Sequence, residues 1–177
     1  YFTRMAIIIG CDIGYKNLGF AVVEVTGSVK KLLYAENLVT TGKTMPENLS
    51  QIAGHFETLL NHYKPDTYVY EDPVMKGSTG AKLNEVVGVL RYLAYKSNLE
   101  EFSYKPTQVK LTVFGSGAAD KQNIIDTIES VFPERKFKLK EKLGTKYIED
   151  TFDFLDDNVK FKVEKGIIKK NLEGSKV

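Results

Sequence analysis

The chain has 177 residues, 42% hydrophobic and 27% charged, with a formal net charge of +2. That length holds one domain with a substantial core, and so even a charge balance gives no ground for nucleic-acid binding by bulk attraction. Its single cysteine, Cys11, excludes an internal disulfide. With only two histidines the chain cannot build a zinc cage, and no apolar run reaches membrane length or forms a signal-peptide pattern.

Met5 reads as the natural start, with residues 1–4 a non-native addition. Residues 7–13 form an apolar, β-branched run, which predicts a strand buried on both faces. Asp12 stands at its end, and Gly14 and Gly19 allow a reversal into a second strand over 20–25. Residues 31–40 alternate as a third antiparallel strand and close a meander. Thr44-Met45-Pro46-Glu47 has the pattern of a capping box with proline in the first turn. The helix it opens carries Leu49, Ile52, Phe56, Leu59 and Leu60 at helical spacing and ends near Lys64-Pro65. His55 and His62 lie on it with no ligand pattern around them.

Residues 67–71 predict a fourth strand after the helical crossover, ending in Glu71. A helix follows over 78–98, its inner face made by Leu83, Val86, Val87, Leu90 and Leu93; Gly88 within it suggests close approach of another backbone, such as a partner subunit's. A strand over 101–105, a short helix over 106–113, a turn at 114–120 and a helix over 121–132 come next, the last with Ile124, Ile125, Ile128 and Val131 facing inward. Residues 135–142 are basic with interleaved apolar residues, either a solvated face or a phosphate-contacting edge. Residues 147–157 read as a helix dense in acids, where Asp150 and Asp153 share a face. One domain over 5–158 and a polar, lysine-rich segment over 159–177 complete the expected organisation.

Two strands thus end in carboxylates, at the sheet edge where parallel α/β proteins build their sites. Two acids three apart on one helix repel unless solvated or bridged by a cation. Asp12, Glu71, Asp150 and Asp153 are therefore candidate ligands for a hard divalent cation. A pair of such ions would serve phosphodiester hydrolysis. Cys11, beside Asp12 in a buried strand, reads as a small core residue and not as a nucleophile.

At these residues the sequence resembles the RuvC family of Holliday-junction resolvases. The apolar strand followed by Asp-x-Gly-x-x-x-x-Gly is matched by residues 12–19, and a terminal Asp-x-x-Asp by residues 150–153. Residues 110–121 match the family's Lys-x-x-x-x-Gly-x-Gly-x-Ala-x-Lys. The resemblance implies a ribonuclease-H-like α/β fold: a five-stranded mixed sheet, meander plus parallel strands, with helices on both faces. It implies a homodimeric endonuclease using Mg²⁺, or Mn²⁺ in its place, with two ions per site and a 5′-phosphate product. The partner would be branched DNA, four-way junctions above all, in the cytoplasm (the host's, for a phage-type member).

The implied metal ligands are Asp12, Glu71, Asp150 and Asp153. Lys110 and Lys121 carry over as DNA-binding residues, Lys121 also as catalytic; Lys16, Val74, Met75 and Lys76 complete the expected DNA contacts. Residues 83–89 resemble the helix near the family's dimer contact. The departures lie at Ile13, where proline is frequent, and at Val74, where an aromatic stacks at the junction crossover. Residues 154–157 also replace the usual small-residue helix. Valine has no π-face for a base, so broader branched-DNA cutting becomes an expectation. Three rivals are an actin-like ATPase, which needs a second lobe, an RNA-processing nuclease of the same fold, and a branched-DNA binder without cleavage. All four acids argue against the binder, since negative charge facing phosphates gives it nothing.

Overall fold

A computed structural model describes residues 5–73, 77–115, 121–133, 137–142, 145–150, 155–156, 159–164 and 167–170. The strands β1 (Met5–Asp12), β2 (Asn17–Thr26) and β3 (Val29–Val39) form the antiparallel meander. Helix α1 (Met45–Tyr63) crosses to β4 (Thr67–Glu71), which pairs parallel with β1; α2 (Gly77–Lys96) then leads to β5 (Glu100–Tyr104), parallel to β4. The sheet order is β3-β2-β1-β4-β5, so β1 and β4 are central and β5 is an edge.

Side chains alternate across the pleat, and the alternation decides which face is core. Ile9 and Cys11 of β1, Leu18, Phe20 and Val22 of β2, and Tyr68 and Tyr70 of β4 are buried on one face. Ile52, Phe56, Leu59 and Leu60 of α1 and Val86, Leu90, Leu93 and Ala94 of α2 join them in a single cluster. On the second face Ile8, Gly10, Ala21, Val23 and Val69 are only half-buried. The expectation of burial on both faces of β1 therefore holds for the helix face alone.

Local chemistry sets the boundaries. The capping box is made: Glu47 N donates to Thr44 Oγ1 at 3.4 Å and Thr44 N to Glu47 Oε2 at 3.0 Å. Helix α1 stops at Lys64, which takes left-handed φ 48°, before Pro65. The first turn requires glycine, because a Cβ on Gly14 would lie 1.9 Å from the carbonyl oxygen of Asn17.

Helix α3 (Pro106–Phe114) and α4 (Lys121–Val131) follow, and the hairpin β6 (Phe137–Lys142) and β7 (Thr145–Asp150) packs on α4. The strands β8 (Leu155–Asp156), β9 (Val159–Glu164) and β10 (Ile167–Lys170) pair antiparallel.

Two expectations are corrected. Residues 147–150 and 155–156, expected within one helix, are strand. Residues 137–142 and 145–150 pair instead as antiparallel strands, in a register that sets Lys138 opposite Glu149 and Glu141 opposite Lys146, residues of opposite charge at facing positions. Val131 is exposed and does not face inward, because it falls in the last turn of α4. At Gly88 a Cβ would meet nothing within 4 Å among the described residues, so the backbone expected to approach it is not one of this chain's described segments.

Candidate active site

The sheet register assembles the site. Cys11 of β1 pairs with Tyr70 of β4 in parallel, so Asp12 and Glu71 are the next residues along two adjacent strands and project from the same face. Across β1, Asp12 pairs with Gly19, and a Cβ there would touch the Asp12 Cβ at 3.4 Å. Glycine at that position leaves the carboxylate free space on its β2 side.

The electrostatics follow from this crowding. Desolvation raises the Asp12 pKa above the ordinary carboxylate value. Desolvation also raises Glu71, the negative charge of Asp12 raises it further, and the Lys110 ammonium on α3 partly offsets both. Burial, then the Asp12 charge, pushes the Cys11 thiol upward, which fits a core residue and excludes a reactive thiolate. Two carboxylates that disfavour each other's ionisation, with oxygen-only donors, match the preference of a hard divalent cation. Among the described residues no third acid or imidazole completes a cluster.

The other predicted residues fall as follows. Asp150 ends β7 opposite Phe137, in a strand and not on a helix face; its side chain, and all of Asp153, lie outside the described residues. The argument that a helix brings these two acids together therefore does not apply. Lys121 opens α4 with its side chain outside the described residues, as are Val74, Met75 and Lys76 entirely.

Lys16, expected among the DNA contacts, also bonds within the chain. Its Nζ donates to Gly42 O at 2.7 Å and to Oδ1 of the buried Asn48 at 3.2 Å, so two of the ammonium's three donors are engaged inside the chain. Thr40, also buried, donates from its backbone N to Lys16 O and from Oγ1 to Tyr15 O, both at 3.0 Å. Lys82 of α2 sits 4.9 Å over the Tyr15 ring. The turn that follows Asp12 is thus fastened to the β3–α1 connection and to α2. A Cβ on Gly42 would lie 2.8 Å from Asn48 Oδ1, which explains the glycine.

The sequence reading missed this latch, since its parts are 26 and 32 residues apart. It also missed a polar cluster behind the sheet, where His55 Nε2 lies 3.2 Å from Glu36 Oε2 and Tyr34 donates to Glu36. Only the alternation of Tyr34 and Glu36 along β3 hinted at it.

A five-stranded mixed sheet in this order, with acids side by side at the ends of its two central parallel strands, defines a ribonuclease-H-like nuclease fold. The family model described as crossover junction endodeoxyribonuclease RuvC matches residues 8–146. The chain belongs to that RuvC family. A RuvC from Prochlorococcus marinus strain AS9601 is 30% identical over 124 residues, 68% of this chain and 78% of that protein. One from Mannheimia succiniciproducens is 29% identical over 129 residues, and the match spans 72% of this chain but 65% of the Mannheimia protein.

Among solved structures, Thermus thermophilus RuvC in complex with a Holliday junction substrate superposes with a TM-score of 0.66 at 24% identity, covering 77% of this chain and 82% of that one. The Fowlpox virus resolvase in complex with Holliday junction DNA gives 0.52 at 24% identity, over 72% and 77% of the two chains. Both likenesses are likenesses of fold.

Proposed function

We propose that this chain is a metal-dependent endonuclease that nicks four-way junctions and other branched DNA. The observation that carries the reading is Asp12 and Glu71 side by side on one sheet face with Lys110 beside them. Asp12 and Glu71, with Asp150 and Asp153, would hold Mg²⁺ (or Mn²⁺), two ions per site. When bound, these ions supply the charge that activates water and steadies the leaving oxygen. The chain's own contribution is to hold the two carboxylates side by side and partly desolvated, so that a divalent cation between them would relieve both the desolvation and their mutual repulsion. Lys110 is placed to offset negative charge that grows on the phosphodiester, and Lys121 is assigned the same work. Cutting would leave a 5′ phosphate.

The DNA contacts proposed are Lys110, Lys121, Lys76, Val74 and Met75. Valine at 74 supports activity on forks as well as junctions, because no ring stands there to grip a crossover base. The proposed working form is a homodimer. In support, α1 and α2 present an apolar groove lined by Leu49, Ala53, Val89, Tyr92 and Leu93, with Gly88 open within it. No helix among the described residues is long and apolar enough to cross a membrane. The proposed compartment is the one that holds the DNA, the cytoplasm, or the host's for a phage-encoded member.

The test is cleavage of a labelled four-way junction with Mg²⁺ or Mn²⁺, beside a fork, a linear duplex and an RNA–DNA hybrid. Paired nicks at the junction are expected, and Asp12→Asn should abolish them while DNA binding and folding persist. Cutting of the hybrid alone, or of nothing, would overturn the proposal.

A further inference from the structure

The row of strand ends does not stop at Glu71. The parallel register of β4 and β5 sets Glu71 directly against Tyr104, and Val69 against Phe102. Residues in register on neighbouring strands share a face, so Asp12, Glu71 and Tyr104 form one line across three strands. At about 4.8 Å between strands, the Tyr104 backbone stands about 10 Å from that of Asp12.

The exposure of the two faces differs sharply at these tyrosines. Tyr68 and Tyr70 on the helix face are 0% and 6% exposed, whereas Phe102 and Tyr104 are 42% and 45% exposed. Two neighbouring aromatic rings left open on an edge strand signal a surface made to meet something. Its surroundings indicate what. Lys105 follows Tyr104 directly and is exposed, and Lys110 on the next helix is near enough for its charge to lower the Glu71 pKa. Cations flanking open rings, next to carboxylates, suit a ligand with both phosphates and flat bases. An apolar protein partner would leave those lysines with nothing to meet.

We propose that Tyr104, backed by Phe102, is the platform on which a nucleobase near the scissile phosphate stacks, supplying the π-face that Val74 lacks. The inference rests on the nuclease reading and deepens it by naming a residue that selects unpaired bases. At 3.4 Å per stacked nucleotide, 10 Å corresponds to about three nucleotides of an ordered strand and fewer of a splayed one. The ring therefore serves the strand being cut. Paired bases inside a duplex cannot reach it, which makes branched DNA the preferred substrate.

The experiment compares wild type with Tyr104→Ala, Tyr104→Phe and Tyr104→Leu on a junction and a fork. 2-Aminopurine is placed in turn at the three nucleotides flanking the cut. Binding is read in the Asp12→Asn background, and thermal unfolding confirms that each variant folds. Tyr104→Ala should lower kcat/KM on branched DNA by about tenfold, the scale of one lost base stack, and abolish a fluorescence quench at one position. Tyr104→Phe should restore both, and Tyr104→Leu neither.

Wild type cutting branched DNA while Tyr104→Ala cuts equally well, with an unchanged signal, would overturn the inference and leave the nuclease reading standing. Rescue by leucine would overturn it too, since apolar packing without a ring would then suffice. Failure of the wild type to cut any branched DNA would remove the nuclease reading, and this inference with it.

Discussion

Replacing Lys16 with methionine keeps the length of the side chain and removes the ammonium that joins the Asp12 turn to Gly42 and Asn48. In the native chain that ammonium makes bonds of 2.7 and 3.2 Å, the second to a side chain that is 3% exposed. Loss of a charged donor that leaves a buried amide oxygen unpaired costs about 2 kcal/mol. For a domain of this size that is a fall in Tm of roughly 4–8 °C. Asn48→Leu removes the other half. In a double-mutant cycle the two substitutions should together cost about 1 kcal/mol less than their sum, because each alone already breaks the shared bond. Urea denaturation of the four proteins measures this, with cleavage of a labelled junction as a second readout. Because the latch holds the turn that follows Asp12 and does not touch β4, kcat should fall in every variant that opens it. A Lys16→Met protein within about 0.5 kcal/mol of wild type, or additive effects in the cycle, would refute the latch.

The raised pKa values of Asp12 and Glu71 predict a pH dependence. Between their ordinary values, 3.8 and 4.5, and the higher folded values, the native state binds more protons than the unfolded chain, so this pair's contribution to stability is lost as pH rises through that window. The difference in unfolding free energy between metal-free wild type and an Asp12→Asn/Glu71→Gln variant should therefore fall with rising pH and recover when Mg²⁺ is added at neutral pH. A flat difference would refute it. Tyr68 is wholly buried, and its hydroxyl has no hydrogen-bond partner among the described residues. Tyr68→Phe should accordingly raise stability by about 1 kcal/mol in chemical denaturation, and a loss of that size would show that the hydroxyl is bonded after all.

Much of the scaffold was legible in residue order because it depends on neighbours. The β-rich run in residues 67–71, the 3.6-residue spacing in α1 and α2, and the Thr44/Glu47 cap each encode their element within a few positions. The acid at the end of β1 and the acid at the end of β4 were legible for the same reason. Residues 147–150 were misread as helix because acids at 150 and 153 suit a helix face, while the strand that claims 145–150 is a separate segment, residues 137–142. The internal bonds of Lys16 were not legible because its acceptors are 26 and 32 residues away in sequence.

The sequence by itself determined the five strands of the sheet and the helices α1 and α2, the site acids Asp12 and Glu71 and the glycine turn between β1 and β2, since these follow from local sterics, periodicity and residue chemistry. Only the tertiary structure decided what stands next to what. The parallel registers of β1 with β4 and of β4 with β5 put Asp12, Glu71 and Tyr104 in one line, although 59 and 33 residues separate them. The fold of the β3–α1 connection turned Lys16 inward. Such contacts depend on the register in which distant strands pair, which the side-chain pattern on each strand constrains only to the correct face.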